Sequence, residues 1–76
     1  MVKTEIETTS GNVIRTDSSV LEIIEMMIDW DGYIVINSYV LYPLGRGRMS
    51  AGWDEIHLNV NHIITMRSLR MAETEN

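Results

Sequence analysis

Small or apolar residues alternate with charged ones at the start of the chain. Residues 2–8 read VKTEIET, which has the two-residue period of a half-buried β-strand. Residues 9–12 contain glycine and asparagine, which tolerate the positive φ angles of tight turns. Residues 13–16 then return as a second strand, so this pattern predicts a β-hairpin.

A helix is predicted directly after the hairpin. Ser19 and Glu22 have the spacing of a capping box, so we expect the helix to begin at Val20. Gly32 follows it, and glycine in a left-handed conformation commonly ends a helix. Further apolar residues widen the apolar side of this helix, which favours contact with a second subunit. The apolar stripe has the spacing of an amphipathic helix and consists of Val20, Ile23, Ile24, Met27 and Ile28.

The second half of the chain predicts three more strands. Residues 33–42 are rich in Ile, Val and Tyr and predict a central strand that is buried on both faces, with a bulge or bend at Asn37–Ser38. Pro43 has no N–H group to donate and is expected to end this strand. Residues 56–61 alternate again, and residues 63–66 predict a short last strand after a tight turn.

We therefore expect an α+β fold with the order β-β-α-β-β-β, in which one helix packs across a small, bent antiparallel sheet or partial barrel. Residues 1–67 should form a single compact domain, and the polar residues 68–76 a C-terminal tail. A chain of 76 residues buries only about 60% of the surface that its unfolded form exposes. Because 45% of the residues are hydrophobic and no cysteine can form a crosslink, a homo-oligomer is expected.

The charge of the chain limits its partners. A formal net charge of -5 argues against bulk binding to nucleic acid, which depends on many Lys and Arg contacts with phosphate. No run approaches the ~20 apolar residues of a membrane span, and the N-terminus has no signal-peptide core. These features predict a cytoplasmic protein without a membrane partner, in agreement with the absence of cysteine.

The alternating pattern stops between Pro43 and Trp53, where the sequence reads PLGRGRMSAGW and contains no acid. Its two arginines offer planar forks of donors that match phosphate, and its glycines let backbone N–H groups approach the same anion. Aromatic residues stand at both ends of the stretch and could stack on a base. We predict a loop that binds a small anionic nucleotide through Tyr42, Gly45, Arg46, Gly47, Arg48, Gly52, Trp53 and His57.

The residue pattern leaves an alternative for this loop and little support for catalysis. The loop could be a mobile hairpin whose arginines pair with Asp54, Glu55 or other acids. His57 and His62 would lie on opposite sides of a regular strand, and no third ligand has a metal-like spacing, so neither a metal nor another cofactor is predicted. No serine lies in a nucleophile elbow, and we expect the protein not to be an enzyme.

One short run resembles a known motif. Residues 57–65, HLNVNHIIT, are similar to the second motif of Sm-like RNA-binding proteins, in which a His-containing kink lies at the RNA pore. The first Sm-like motif is absent, and the predicted helix follows a hairpin instead of leading the chain. This resemblance implies an RNA-binding module as a third interpretation.

In general character, the chain also resembles small phage-encoded proteins that sequester nucleotide signals of host immunity, known as sponges. Like them, it is tiny, acidic and free of cysteine. The resemblance implies a viral anti-defence protein in the host cytoplasm. It further implies a homo-oligomer in which Arg and aromatic residues close over a cyclic or ADP-ribose-type nucleotide at subunit interfaces.

Two hypotheses from different classes follow. The first is a non-catalytic, homo-oligomeric module that captures a small anionic nucleotide. The second is a protein-interaction regulator or inhibitor. It would act through its apolar strand or through its acidic helix, where Glu22, Glu25 and Asp29 share one face.

Overall fold

The computed structural model describes residues 1–29 and 31–69. These residues form an α+β fold, and its elements follow one another as β1 (Thr4–Thr8), β2 (Val13–Thr16), α1 (Val20–Asp29), β3 (Tyr33–Gly45), β4 (Arg48–Asn59) and β5 (Ile63–Ser68). Neighbouring strands are antiparallel, in the spatial order β4-β3-β2-β1-β5. The sheet is open, with β4 and β5 at its edges, and this pairing does not establish the partial barrel that was the other expected form.

The first hairpin, β1–β2, forms as predicted. Ile6 pairs with Ile14 across it. The N–H of Thr8 donates to the carbonyl oxygen of Asn12 at 3.0 Å, and Gly11 has the positive φ, 87°, that the turn requires. The hairpin signal in the sequence was therefore reliable, because it depends on neighbouring residues only.

Helix α1 begins at Val20, as the capping box predicts. The N–H of Ser19 donates to Glu22 Oε1 at 2.7 Å, and the N–H of Glu22 donates to Ser19 Oγ at 3.1 Å. These two bonds satisfy backbone donors that the first turn of a helix leaves without partners. The hydrogen bond from the Ser19 backbone also lowers the pKa of Glu22.

The helix buries a different side from the one predicted. Ile23 is fully buried, and Met26 and Met27 pack beside it, whereas Ile24 and Ile28 are exposed. Apolar residues cover more than half of the circumference, so their spacing is compatible with more than one orientation of the helix. Packing against the sheet selects an orientation that leaves part of the apolar surface outside.

The core lies between α1 and the sheet and is small. Ile34 and Ile36 enter it from β3 and lie opposite Leu58 and Ile56 of β4. The small size of this core agrees with the marginal stability expected for so short a chain. Its buried hydrophobic residues are Ile6, Ile23, Ile34, Ile36 and Leu58.

Strand β5 follows a 3₁₀ turn at Val60–His62. Asn59 caps this turn, since its Oδ1 accepts from the N–H of Asn61 at 2.9 Å. β5 then pairs with β1 as far as Ser68, so the strand enters the segment predicted as a polar tail. Residues 70–76 of that predicted tail lie outside the described residues.

Strands β3 and β4 continue beyond the body of the sheet. In the described part of the chain, β2 pairs with β3 only at Thr16 and Ser38, and past this point β3 and β4 form a two-stranded ribbon. Every residue from 41 to 51 is exposed. The radius of gyration, 13.8 Å, exceeds the about 11 Å expected for a compact chain of this length. We call residues 39–53 the arm.

Three predictions about this part of the chain are wrong. The stretch from Pro43 to Trp53, predicted as a loop, is strand except for a turn at Arg46–Gly47. Pro43 does not end β3, because alternate N–H groups of a strand with a single neighbour face solvent, where the missing donor is tolerated. Asn37–Ser38 pairs regularly with β4, and the irregularity of register lies between Pro43 and Gly45 instead.

Within the described residues, no helix combines the length and the apolar character that crossing a membrane requires.

Candidate functional site

The tip of the arm is a two-residue turn formed by Arg46 and Gly47. Both have positive φ angles, 54° and 75°, as in the type I′ turn that joins hairpin strands. Gly45, just before the turn, is also left-handed, with φ 90°. A left-handed conformation costs an ordinary side chain about 1–2 kcal/mol, so the backbone at residue 46 favours Asn or Gly over Arg. The glycines thus shape the turn.

The arginines of the tip differ from those of the sheet body. Arg46 and Arg48 are exposed and belong to no salt bridge among the described residues. Glu5, in contrast, binds two arginines: Arg15 Nη2 lies 3.0 Å from Glu5 Oε2, and Arg67 pairs with Oε1. Pairing with the acids that follow the arm, the alternative considered from the sequence, therefore has no support in the described residues.

One face of the arm is free of charge. Alternation along the paired strands places three cross-strand pairs on this surface, which we call the apolar face: Tyr39–Trp53, Leu41–Ala51 and Pro43–Met49. The rings of Tyr39 and Trp53 meet edge to face, with centroids 5.3 Å apart. Leu41 and Met49 remain 59% and 55% exposed. The apolar face is therefore open to a ligand or a partner.

The opposite face of the arm is organised by Tyr42. Its hydroxyl donates to Asp54 Oδ1 at 2.6 Å, and its ring covers Gly52, where an added Cβ would lie 3.1 Å from Tyr42 Cε2. The hydrogen bond to Asp54 raises the pKa of Tyr42, with smaller contributions from burial and from the carboxylate charge. Gly52 accordingly makes room for a ring inside a strand and does not act as a loop hinge.

Not all of the predicted site residues converge in one chain. Tyr42 and Trp53 lie on opposite faces of the arm, because Trp53 pairs with Tyr39, three residues before Tyr42. Along β4, Trp53 is about 17 Å from Arg48, and His57 is about 30 Å from it. The two aromatic residues named from the sequence therefore do not enclose the arginines between them.

An acidic cavity of about 490 Å³ opens at the base of the arm. Asn37 lines it from β3, and no Lys or Arg is among its lining residues. Like charges disfavour an anion here, whereas a cationic group would be attracted. No three His, Asp or Glu side chains of the described residues are arranged to hold a metal ion. Four carboxylates line the cavity: Glu22, Glu25, Asp29 and Glu55.

Tyr39 is a candidate site residue that the residue pattern does not indicate. It lies in a run of Ile, Val and Tyr that reads as buried strand. Its partner Trp53 becomes identifiable only when the two-residue turn at the tip is known, because the turn determines which residues of β3 and β4 face each other. The alternation of Tyr39 and Leu41 is visible in the sequence, but their pairing with residues of β4 is not.

No protein-family model, curated protein or solved structure matches the chain. The resemblances to Sm-like proteins and to nucleotide-sequestering proteins accordingly stay hypotheses based on residues and general character.

Proposed function

We propose that the protein is a non-catalytic binding module that captures a small anionic ligand of nucleotide type with its arm. The observation that carries this proposal is the pair of exposed guanidinium groups at the tip, Arg46 and Arg48, which no acid of the described residues binds. Guanidinium groups bind phosphate through paired, charge-assisted hydrogen bonds. Tyr39 and Trp53 supply an aromatic surface on the same arm, and such surfaces stack on bases.

The backbone of Arg46 supports this assignment. Its φ of 54° is unfavourable for a long side chain, and strained backbone is concentrated at functional sites. Asn at this position would suit a type I′ turn better. A binding role for the guanidinium group accounts for an arginine where stability alone favours another residue.

The separation between the tip and the Tyr39–Trp53 pair favours a second chain. Arg48 and Trp53 lie about 17 Å apart along β4, too far for one base and its phosphate to join them. We therefore propose a homo-oligomer in which a neighbouring copy brings aromatic rings to the guanidinium groups. We further propose that the protein is encoded by a phage and sequesters an immune signal in the host cytoplasm. This part of the proposal rests on general resemblance alone.

The test compares two double variants with equal loss of charge. Arg46→Ala with Arg48→Ala removes the tip, whereas Arg15→Ala with Arg67→Ala removes arginines that already bind Glu5. Calorimetric titration would use cyclic oligonucleotides, ADP-ribose derivatives and single-stranded RNA. We expect a nucleotide to bind the wild type, the tip variant to lose about tenfold or more in affinity, and the control variant to retain it.

Two results would contradict the proposal: no nucleotide or related ligand binds the wild type, or the tip variant binds as well as the wild type. Tight binding of RNA alone would favour the Sm-like interpretation. Denaturing the loaded protein and identifying the released molecule by mass spectrometry separates capture from catalysis. A binding module returns the ligand unchanged, whereas an enzyme returns a product.

A second function is favoured by the outer side of α1. Leu21, Ile24 and Ile28 are exposed at helical spacing, and Leu21 and Ile28 retain 65% and 77% of their surface. Glu25 and Asp29 lie on the same helix. An apolar stripe beside acids is suited to the groove of a basic protein partner, as a regulator or inhibitor would require.

The variant Glu25→Lys with Asp29→Lys tests this second function. Glu22 is left intact because it caps the helix, and its loss would confound folding with binding. Partner capture from host lysate should disappear in the helix variant and persist when Arg46 and Arg48 are replaced by alanine. The opposite result would assign capture to the arm.

A further inference from the structure

The apolar face of the arm is exposed to solvent. It carries three consecutive uncharged pairs, and its middle residue Leu41 is more than half exposed. A two-stranded ribbon is only marginally stable in water unless something packs on it. Contiguous exposed apolar surface of this kind marks an interaction site.

The two ends of the arm carry opposite charges. Arg46 lies in the turn at the tip, and Arg48 lies beside this turn, on the face that carries Ser50. Glu55 follows Trp53 by two residues in β4, so alternation places it on the same face at the base of the arm. It also lines the acidic cavity together with Asn37 and the helix acids. An arm that is basic at its tip, apolar along one face and acidic at its base is complementary to a second copy that is turned end to end.

We infer that two copies of this chain pack arm against arm through their apolar faces, as an antiparallel homodimer with its two-fold axis near the Leu41–Ala51 pair. The tip lies about 15 Å from this pair on one side, and Glu55 about as far on the other. The axis therefore sets Arg46 and Arg48 of each copy against Glu55 and the acidic cavity of its partner. Such an interface is isologous and closed.

Charge decides between this arrangement and its parallel alternative. A parallel packing would bring four arginines together at one end and two copies of Glu55 at the other, and like charges at close range oppose association. Each chain also carries a net charge of -5, so two copies repel one another unless opposite charges meet locally. The antiparallel packing provides that contact twice.

The dimer also deepens the proposed function, and this part of the inference rests on that function. The tip of one copy, which carries Arg46 and Arg48, would come beside Tyr39 and Trp53 of the other, and this removes the separation of about 17 Å within one chain. A guanidinium group has five N–H donors, so an arginine that meets Glu55 retains donors for a phosphate. Two equivalent sites would form in each dimer.

Neighbouring residues on opposite faces of the arm give a matched test. Ala51→Asp places two carboxylates at the axis, whereas Ser50→Asp adds the same charge to the face that carries Tyr42. Sedimentation velocity over a range of concentrations should show dimers for the wild type and Ser50→Asp, and monomers for Ala51→Asp. Circular dichroism should show the same fold in all three. A monomeric wild type, or an oligomer that Ala51→Asp leaves intact, would overturn the inference.

Charge reversal tests the antiparallel arrangement itself. Arg46→Glu with Arg48→Glu makes tip and base both acidic, and Glu55→Arg places a positive charge at the base, where it faces the basic tip of the partner. Each variant alone should dimerise more weakly than the wild type, and a one-to-one mixture should form heterodimers more tightly than either variant forms dimers, because both tip-to-base contacts then gain an opposite charge. A mixture that stays monomeric would refute the arrangement. Dimers in a protein that binds no nucleotide would refute the proposed ligand and leave the inference standing.

Discussion

The body of the sheet and the arm use arginine in opposite ways. In the body, Glu5 on β1 binds Arg15 on one side and Arg67 on the other, so the charges are paired within the chain. At the tip of the arm, Arg46 and Arg48 are paired with no described acid, and the apolar face beside them is uncovered. The body thus pairs its arginines within the chain, whereas the arm leaves its arginines and its apolar face exposed.

The body and the arm should also differ in how their stability depends on pH. The hydrogen bond from Arg67, opposed by partial burial and assisted by the charges of both arginines, lowers the pKa of Glu5. A carboxyl group with a lowered pKa in the fold stabilises the fold above its unfolded pKa, and this stabilisation is lost as pH falls through the lowered value. In the arm, the group with a shifted pKa is Tyr42, and its pKa is raised. Acid should therefore weaken the body, and alkali the arm.

The largest expected difference between the two regions is in packing, and both positions that test it lie on β3. Ile34 is fully buried, whereas Leu44 is 57% exposed. Ile34→Ala should lower the free energy of unfolding by about 3 kcal/mol, through lost burial and the cavity left behind. Leu44→Ala should change it by less than about 0.5 kcal/mol. Urea denaturation measures both, and similar losses would mean that the arm packs on the body after all.

Local signals explain which parts of the fold were predictable. The capping box of Ser19 and Glu22 and the first hairpin depend on neighbouring residues, and both form as expected. The orientation of α1 depends on packing between distant segments, and a helix that is apolar over most of its surface does not encode it. The sequence of the arm predicts a loop because Pro43 and the glycines interrupt the alternation of apolar and polar residues. An exposed two-stranded ribbon does not need this alternation.

Only the charged residues of the candidate site could be predicted from the sequence. The sequence places Arg46 and Arg48 in a stretch without acids, and the structure leaves both exposed. The aromatic contact could not be foreseen, because a change of one residue in register moves a side chain to the other face of a strand. The turn at the tip pairs Trp53 with Tyr39 and leaves Tyr42 on the opposite side.

A smaller effect tests whether the tip serves binding at the expense of stability. Arg46→Asn should raise the free energy of unfolding by about 0.5–1 kcal/mol, because Asn tolerates the left-handed conformation of a type I′ turn better than Arg does. The same change should weaken nucleotide binding. Arg48→Asn is the control, since residue 48 lies in β4, where Asn gives no such gain. An Arg46→Asn variant that is no more stable than the wild type would remove the argument from strain.

The smallest effect is spectroscopic and concerns the face of the arm that carries Tyr42. Because Tyr42 donates to Asp54, its ionisation breaks this bond and places two negative charges side by side. The pKa of Tyr42 should therefore lie above the ordinary value of about 10. The stabilising effect of the hydrogen bond is present below the ordinary pKa of tyrosine and is lost as pH rises through the raised pKa of Tyr42.

Absorbance titration of tyrosinate in the wild type, minus that in Tyr42→Phe, isolates this residue. In Asp54→Asn the midpoint of the Tyr42 titration should fall, because the amide accepts a weaker hydrogen bond and carries no charge. A Tyr42 midpoint near 10 in the wild type, unchanged in Asp54→Asn, would show that the ring does not hold its place over Gly52. The arm would then no longer have one face held by a hydrogen bond within the chain and an apolar face free for a partner. The case for dimerisation through the apolar face would weaken as well.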